Sequence, residues 1–218
     1  MPNLSLFPWY ASEGVVALAW LLYNAKMNFP RSALVQSLLV LLEDYALRYP
    51  LEASVGKFRE FATSGEALQG KENPRRHITA STWIVNPGRT RVLLTHHAKL
   101  HRWVQLGGHT DEGEDWRAAA LREAVEESGL TGLRLLQTSL FDLDIHQIPE
   151  RKATESTPFT AAHDHYDLRY LVEADDGVEL TVSEESHDLA WVELPRLGEF
   201  TNEESQHRMA RKTPIAPA

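Results

Sequence analysis

Between Asp115 and Ser128 lies a helical stretch whose two sides cannot be exchanged. At about 100° per residue, with Glu123 as zero, Glu126 falls near −60° and Glu127 near +40°. Ala118, Leu121 and Val125 fall near about 220°, 160° and 200°. The apolar stripe predicts docking on a sheet, with the three carboxylates facing outward. Glu123 and Glu127, four residues apart, repel each other by roughly 0.2–0.5 kcal/mol, and no Lys is placed to relieve them. Arg122 can pair with Glu126, in the less favourable order. Such a face is either the solvated side of an amphipathic helix or a site for a hard divalent cation, since Mg²⁺ takes a few carboxylates, keeps waters and binds phosphates.

The flanks of this helix are equally specific. Gly107-Gly108 allows a tight backbone turn and offers a carbonyl near a metal. Glu114 sits just ahead of the helix, where a carboxylate favours the positive N-terminal end. Gly129 is a natural residue to end the helix. Residues 108–130 hold five of the nine excess negative charges of the chain, whereas residues 71–102 carry seven basic side chains against Glu72 alone. This is either a basic wall beside an acidic pocket, as a metal-dependent phosphate enzyme would need, or chance placement on a solvated surface.

The remaining pattern organises the chain of 218 residues around that element. Residues 1–70 read as a helical N-terminal extension. Leu34, Leu38, Leu41, Leu42 and Tyr45 recur at helical spacing up to Pro50, and Val55, Phe58, Phe61 and Ala62 suggest a second helix stopped near Gly65. Met27 could be a natural start, with residues 1–26 an upstream addition. Residues 71–212 form the main domain, and 213–218 a C-terminal tail. His77 to Val85 and Arg91 to His96 flank Asn86-Pro87-Gly88, a hairpin signal. Leu133 to Ile148 reads as one long strand, Ala161 to Glu173 alternates, Leu189 to Leu194 is a short strand and Thr201 to Lys212 a terminal helix. Strands interleave with helices, so the fold class is α/β with a mixed sheet.

Gly108, Glu114 and Arg122-Glu123-Ala124-Val125-Glu126-Glu127-Ser128-Gly129-Leu130 together resemble the Nudix hydrolase signature at every position. Seven specified identities at background frequencies of about 6–7% each would coincide by chance on the order of 10⁻⁸ per start point. Ala124 is smaller than the family's usual Leu or Ile, and Leu106 stands where many members have Pro. The resemblance extends through the strand pattern of roughly residues 75–195. It implies an α/β/α sandwich around a mixed sheet. It also implies Mg²⁺- or Mn²⁺-dependent hydrolysis of the pyrophosphate bond in a nucleoside diphosphate linked to another group. The implied metal ligands are Gly108, Glu123, Glu126 and Glu127; Glu123, Arg122 and Glu127 are the catalytic set, with Glu114 and Gly129 structural. Family members often recruit a further glutamate from a later loop, a place Glu184 or Glu185 could take, although Ser183-Glu184-Glu185 equally suits a helix start.

A second constellation lies outside the signature. Asp142, Asp144 and His146 alternate, as do His163, His165 and Asp167, so on strands each trio shares one face. Residues 147–160 can loop back and pair the two segments antiparallel. Asp144, His146, His163, His165 and Asp167 are a candidate second metal or phosphate site, suited to Zn²⁺, Mn²⁺ or Fe²⁺ better than Mg²⁺; a polar sheet surface is the alternative. His109 could join it or stack on substrate. The pattern is similar to a Nudix subgroup with a Gly-Gly-His loop and a later His-x-His.

Composition closes off other classes. The chain has no cysteine, which excludes disulfides, thiolate nucleophiles and cysteine metal sites. It also counts against an isoprenoid diphosphate isomerase, a reading that shares the fold but uses a cysteine. A net charge of −9 argues against general nucleic-acid binding. Val15 to Tyr23, the longest apolar run, is far below the roughly 20 residues of a membrane helix, and a cytoplasmic protein is expected. The partner is a small nucleotide, with no membrane. A homodimer is compatible with the family habit, the apolar N-terminal zone supplying the interface. A non-catalytic nucleotide sensor on the same fold is the alternative function.

Overall fold

The computed structural model describes residues 28–70, 73–153 and 159–216. The candidate start at Met27 and the apolar run Val15 to Tyr23 lie outside the described residues. The sheet is assembled on β1 (Arg76–Val85), nine of whose ten positions are buried. Such a run needs cover on both faces. It pairs in parallel along its full length with β7 (His163–Glu173), from Arg76 opposite Asp164 to Val85 opposite Glu173.

The other edge of β1 is shared. Its second half pairs antiparallel with β2 (Arg91–His97), through the turn in which the Asn86 carboxamide oxygen accepts the Thr90 and Arg91 amides. Its first half pairs with β4 (Leu106–His109). β2 also carries β3 (Arg102–Val104) and β8 (Ser186–Glu193). β7 likewise carries β5 (Arg134–Leu135) and β6 (Asp142–Ile148) on its outer edge.

Alternation along β1 and β7 separates two layers. Ile78, Ala80 and Ile84, with Tyr166, Leu168, Tyr170 and Val172, face α1 (Arg31–Arg48), α2 (Ser54–Thr63) and α3 (Trp116–Ser128). Trp83, Val85 and Leu171 face the 3-10 turn Leu194–Glu199 and α4 (Glu204–Lys212), through Leu197 and Met209. The result is an α/β/α sandwich around a mixed sheet. The two helices before residue 71 share its core: Phe58 and Phe61 set their rings against Tyr166 at 5.1 and 4.8 Å.

Three expectations are corrected. Leu133 to Ile148 is two strands, not one. Leu136 N–H reaches the Leu171 carbonyl and Phe141 N–H reaches Arg169. Five residues therefore advance against two on β7, and the surplus loops out, its Leu140 carbonyl held by Arg48. Ser183-Glu184-Glu185 starts no helix: Ser186 N–H closes a turn on Ser183 and the chain enters β8. The basic wall is also absent among the described residues. Arg75 and Arg76 pair with Glu66, Arg89 with Glu173, Arg91 with Asp176, Lys99 with Glu185 and Arg102 with Glu203. Acids outside the stretch pair with the residues that looked uniformly basic.

Candidate active site

Asp115 caps α3, its carboxylate accepting the Arg117 and Ala118 amides at 3.0 and 3.3 Å. Gly129 ends the helix at φ 68°, a conformation that other residues adopt with strain. Between these stops Ala118, Ala120, Leu121 and Ala124 are buried under the sheet. The expectation that all three carboxylates face outward is corrected. Glu126 is 58% exposed at its side chain, but Glu127 is only 5% exposed. Glu127 Oε2 accepts the Gly107 N–H at 3.0 Å, so the carboxylate edge of the helix lies against β4.

Gly108 makes that approach possible. A Cβ at this position would stand 2.5 Å from Glu123 Oε2. The obstacle is the mobile end of a side chain, so Gly108→Ala is expected to displace the Glu123 carboxylate rather than unfold the chain. An ångström of misplacement costs on the order of 10²-fold in rate where positioning matters. The expected result is about that loss in kcat with a melting temperature close to wild type; unaltered kcat would show that Glu123 needs no fixed position.

Arg122 organises the acidic cluster. Its Nε and Nη2 bind both oxygens of Glu114 at 2.9 and 3.0 Å. Nη1 reaches Glu123 at 2.8 Å and Glu126 at 3.1 Å, and Nη2 also meets the His109 carbonyl at 3.0 Å. Glu114 further accepts the Asp111 N–H at 3.0 Å. Gln69, which no sequence pattern singled out, braces this loop: its carboxamide nitrogen donates to the Glu114 carbonyl and its oxygen accepts the Gly113 N–H. Gln69, Glu114, Arg122 and Glu123 thus form a continuous polar chain, invisible in sequence because Gln69 lies 45 positions from Glu114.

Electrostatics single out Glu127. Burial pushes its carboxyl up to about 8; the Gly107 N–H opposes this, and the charges of Glu123, Glu185 and Glu126 reinforce it. Glu123 is also raised by burial, against its bond to Arg122, with Glu126 and Glu185 adding to the rise. The Glu185 carboxylate itself is paired with Lys99 at 3.1 Å. Nothing comparable involves Glu184.

The aspartates and histidines of the second constellation separate. β6 and β7 do pair antiparallel, with Asp144 opposite Asp167 and His146 opposite His165. Asp167, however, is consumed: it accepts Arg169 at 2.7 Å, Ser81 at 2.6 Å, Thr79 at 3.1 Å and Gln105 at 3.2 Å. Asp144 binds Arg169, Arg208 and His146. His163 and His165 instead gather with His77, their ligand nitrogens all within 4.8 Å of one another; among the described residues no other trio of such groups meets that distance. His109 stacks on His77 at 4.9 Å between ring centres. This histidine face is opposite to α3: His109 pairs with Thr79, whereas Gly108 pairs with Ala80 and touches Glu123.

Trp83, Phe141 and Tyr166 are buried core, whereas Trp103 is half-buried between His96 and Phe200. No described helix is long and apolar enough to cross a membrane.

Comparison with known proteins locates this arrangement. The NUDIX domain model matches residues 75–213. The asymmetrical bis(5'-nucleosyl)-tetraphosphatase of Rattus norvegicus is 28% identical over 121 residues, 55% of this chain and 74% of that protein. Among solved structures, an Ap4A hydrolase binary complex from C. elegans is 20% identical, covers 62% of this chain and 93% of its own, and has a TM-score of 0.45. A NUDIX family hydrolase from Clostridium perfringens is 26% identical, with 64% and 97% covered and a TM-score of 0.47.

Proposed function

The chain belongs to the NUDIX family of pyrophosphohydrolases, and on that premise we propose that it uses Mg²⁺ or Mn²⁺ to cleave the pyrophosphate bond of a nucleoside diphosphate linked to another group. The observation that carries the metal requirement is the packing of Glu123 and Glu127 against Gly107-Gly108, where one carboxylate fills the space a side chain at position 108 would take. Donors there are all oxygen, which suits a hard cation. Glu123, Glu126 and Glu127, with the Gly108 carbonyl, would hold the ion, and Glu185 is the candidate for a further carboxylate. The bound ion supplies neutralisation of the pyrophosphate and a water of lowered pKa.

The chain's own groups have separate tasks. Arg122 holds Glu123 in place, so that Glu123 can orient the attacking water and take its proton. Glu114 and Gln69 keep Arg122 aimed. Burial gives Glu127 its reason to recruit a cation: its charge, costly when alone, is stabilised by one.

Dinucleoside polyphosphates come first among substrates, since the rat relative is named for acting on a bis(5'-nucleosyl) tetraphosphate. The test is a panel of these compounds, nucleoside triphosphates, nucleotide sugars, ADP-ribose and capped RNA, with either ion, scored by nucleotide and phosphate products. Turnover of at least one class, abolished by chelation, is expected. Binding of nucleotides without turnover under both ions would replace the hydrolase with a sensor.

A further inference from the structure

We propose that His77, His163 and His165 form a second metal site, selective for a borderline divalent transition metal of the zinc class and separate from the carboxylates on α3. The proposal rests on how two strands, β1 and β7, pair, not on the hydrolase reading. The parallel register of β1 and β7 places His77 directly opposite His165, and period two on β7 puts His163 on the same face. All three offer ligand nitrogens within 4.8 Å of one another.

The ring nitrogens are already oriented for a metal. His163 Nδ1 lies 2.8 Å from the Ala161 carbonyl, which can only accept, so Nδ1 carries the proton and Nε2 keeps its lone pair. A carbonyl on the remote nitrogen is the usual partner of a metal-bound imidazole, fixing its tautomer and ring plane. His163 Nε2 then stands 3.2 Å from His165 Nε2. Two nitrogens on one tetrahedral zinc, each at about 2.0–2.1 Å, are about 3.3–3.4 Å apart. The pair therefore has nearly the spacing of coordinated ligands, and His77 offers the third nitrogen within 4.8 Å of both.

The donor set decides the class of ion. Asp144 and Asp167, the nearby oxygens, are occupied by Arg169 and their other partners, so the trio offers imidazole alone. Three imidazoles suit Zn²⁺, Co²⁺, Ni²⁺ or Cu²⁺ and not Mg²⁺. Three protein ligands leave a fourth position for water or an anion, as in zinc sites that stay open. His163 and His165 are half-buried, which leaves an entry path.

The test uses the full chain, stripped of metal, then given Zn²⁺ or Co²⁺ alone in an excess of Mg²⁺ that covers the carboxylates. One ion per chain should survive gel filtration, and Co²⁺ should give the intense visible bands of a four-coordinate nitrogen site. Glu127→Gln should keep both signals. His163→Ala and His165→Ala should each weaken affinity at least 100-fold, and the milder His163→Gln should do the same with an unchanged circular dichroism spectrum. Failure to retain an ion, retention unaltered by these histidine substitutions in folded protein, or loss in Glu127→Gln would each overturn the site.

Discussion

Glu127→Gln is expected to lower kcat by roughly 10²–10⁴-fold, the range associated with losing a group that acts directly on the reacting centre. The amide can still accept the Gly107 N–H, so the fold should persist and the loss should lie in the chemistry. The same variant carries a second signature, in stability. Without metal, the folded chain holds a proton on Glu127 up to about pH 8, whereas the unfolded chain releases it near the ordinary carboxylate value of 4.5. Between those values the folded state binds more protons, so stability must fall as pH rises. Glu127→Gln removes this slope, and denaturant titrations of metal-free protein across that window should show a flatter profile. Near-normal turnover would remove Glu127 from the mechanism; an unaltered slope would mean that its burial does not govern its charge.

Asp142→Ala should be strongly destabilising, by about 3–5 kcal/mol, because it leaves buried cations without their counter-charge. Asp142 is fully buried. It accepts Arg208 at 2.9 and 2.7 Å, Lys212 at 2.7 Å and Arg169 at 3.3 Å, and lies 3.4 Å from the Tyr45 hydroxyl. Burial would raise its pKa, but Arg208, Arg169 and Lys212 more than compensate and hold it below the usual carboxylate value. One carboxylate thus ties β6 and β7 to α4 and, through Tyr45, to α1. Lys212 keeps Glu52, and Arg169 keeps Asp144 and Asp167, so the chain is not stripped of every partner. Chemical denaturation measures the effect; a change under about 1 kcal/mol would place the network among interactions that hold no net stability.

How far the residues alone reached depends on the range of the interaction. The α3 helix was legible because its signals are local: Asp115 as cap, Gly129 as stop and a 3.6-residue period between them. β1 and β2 were legible as β-rich runs around Asn86-Pro87-Gly88, and β7 by its alternation. Leu133 to Ile148 misled because apolar residues run through it, while its interruption is set by how many residues β7 offers opposite. The histidine trio was half legible. His163 and His165 share a face by period two, but His77 joins them only through a parallel pairing between strands 88 positions apart, and no periodicity reports a partner at that distance.

Sequence by itself determined the acidic helix, its glycine flanks and the family to which they point, since each depends on neighbours within a few turns of chain. Tertiary structure alone decided which carboxylate would be buried, that Gln69 and Glu114 steady Arg122, and that Asp144 and Asp167 bond to arginines. Those outcomes follow from desolvation and charge pairing between distant segments, and both quantities exist only once the sheet has closed.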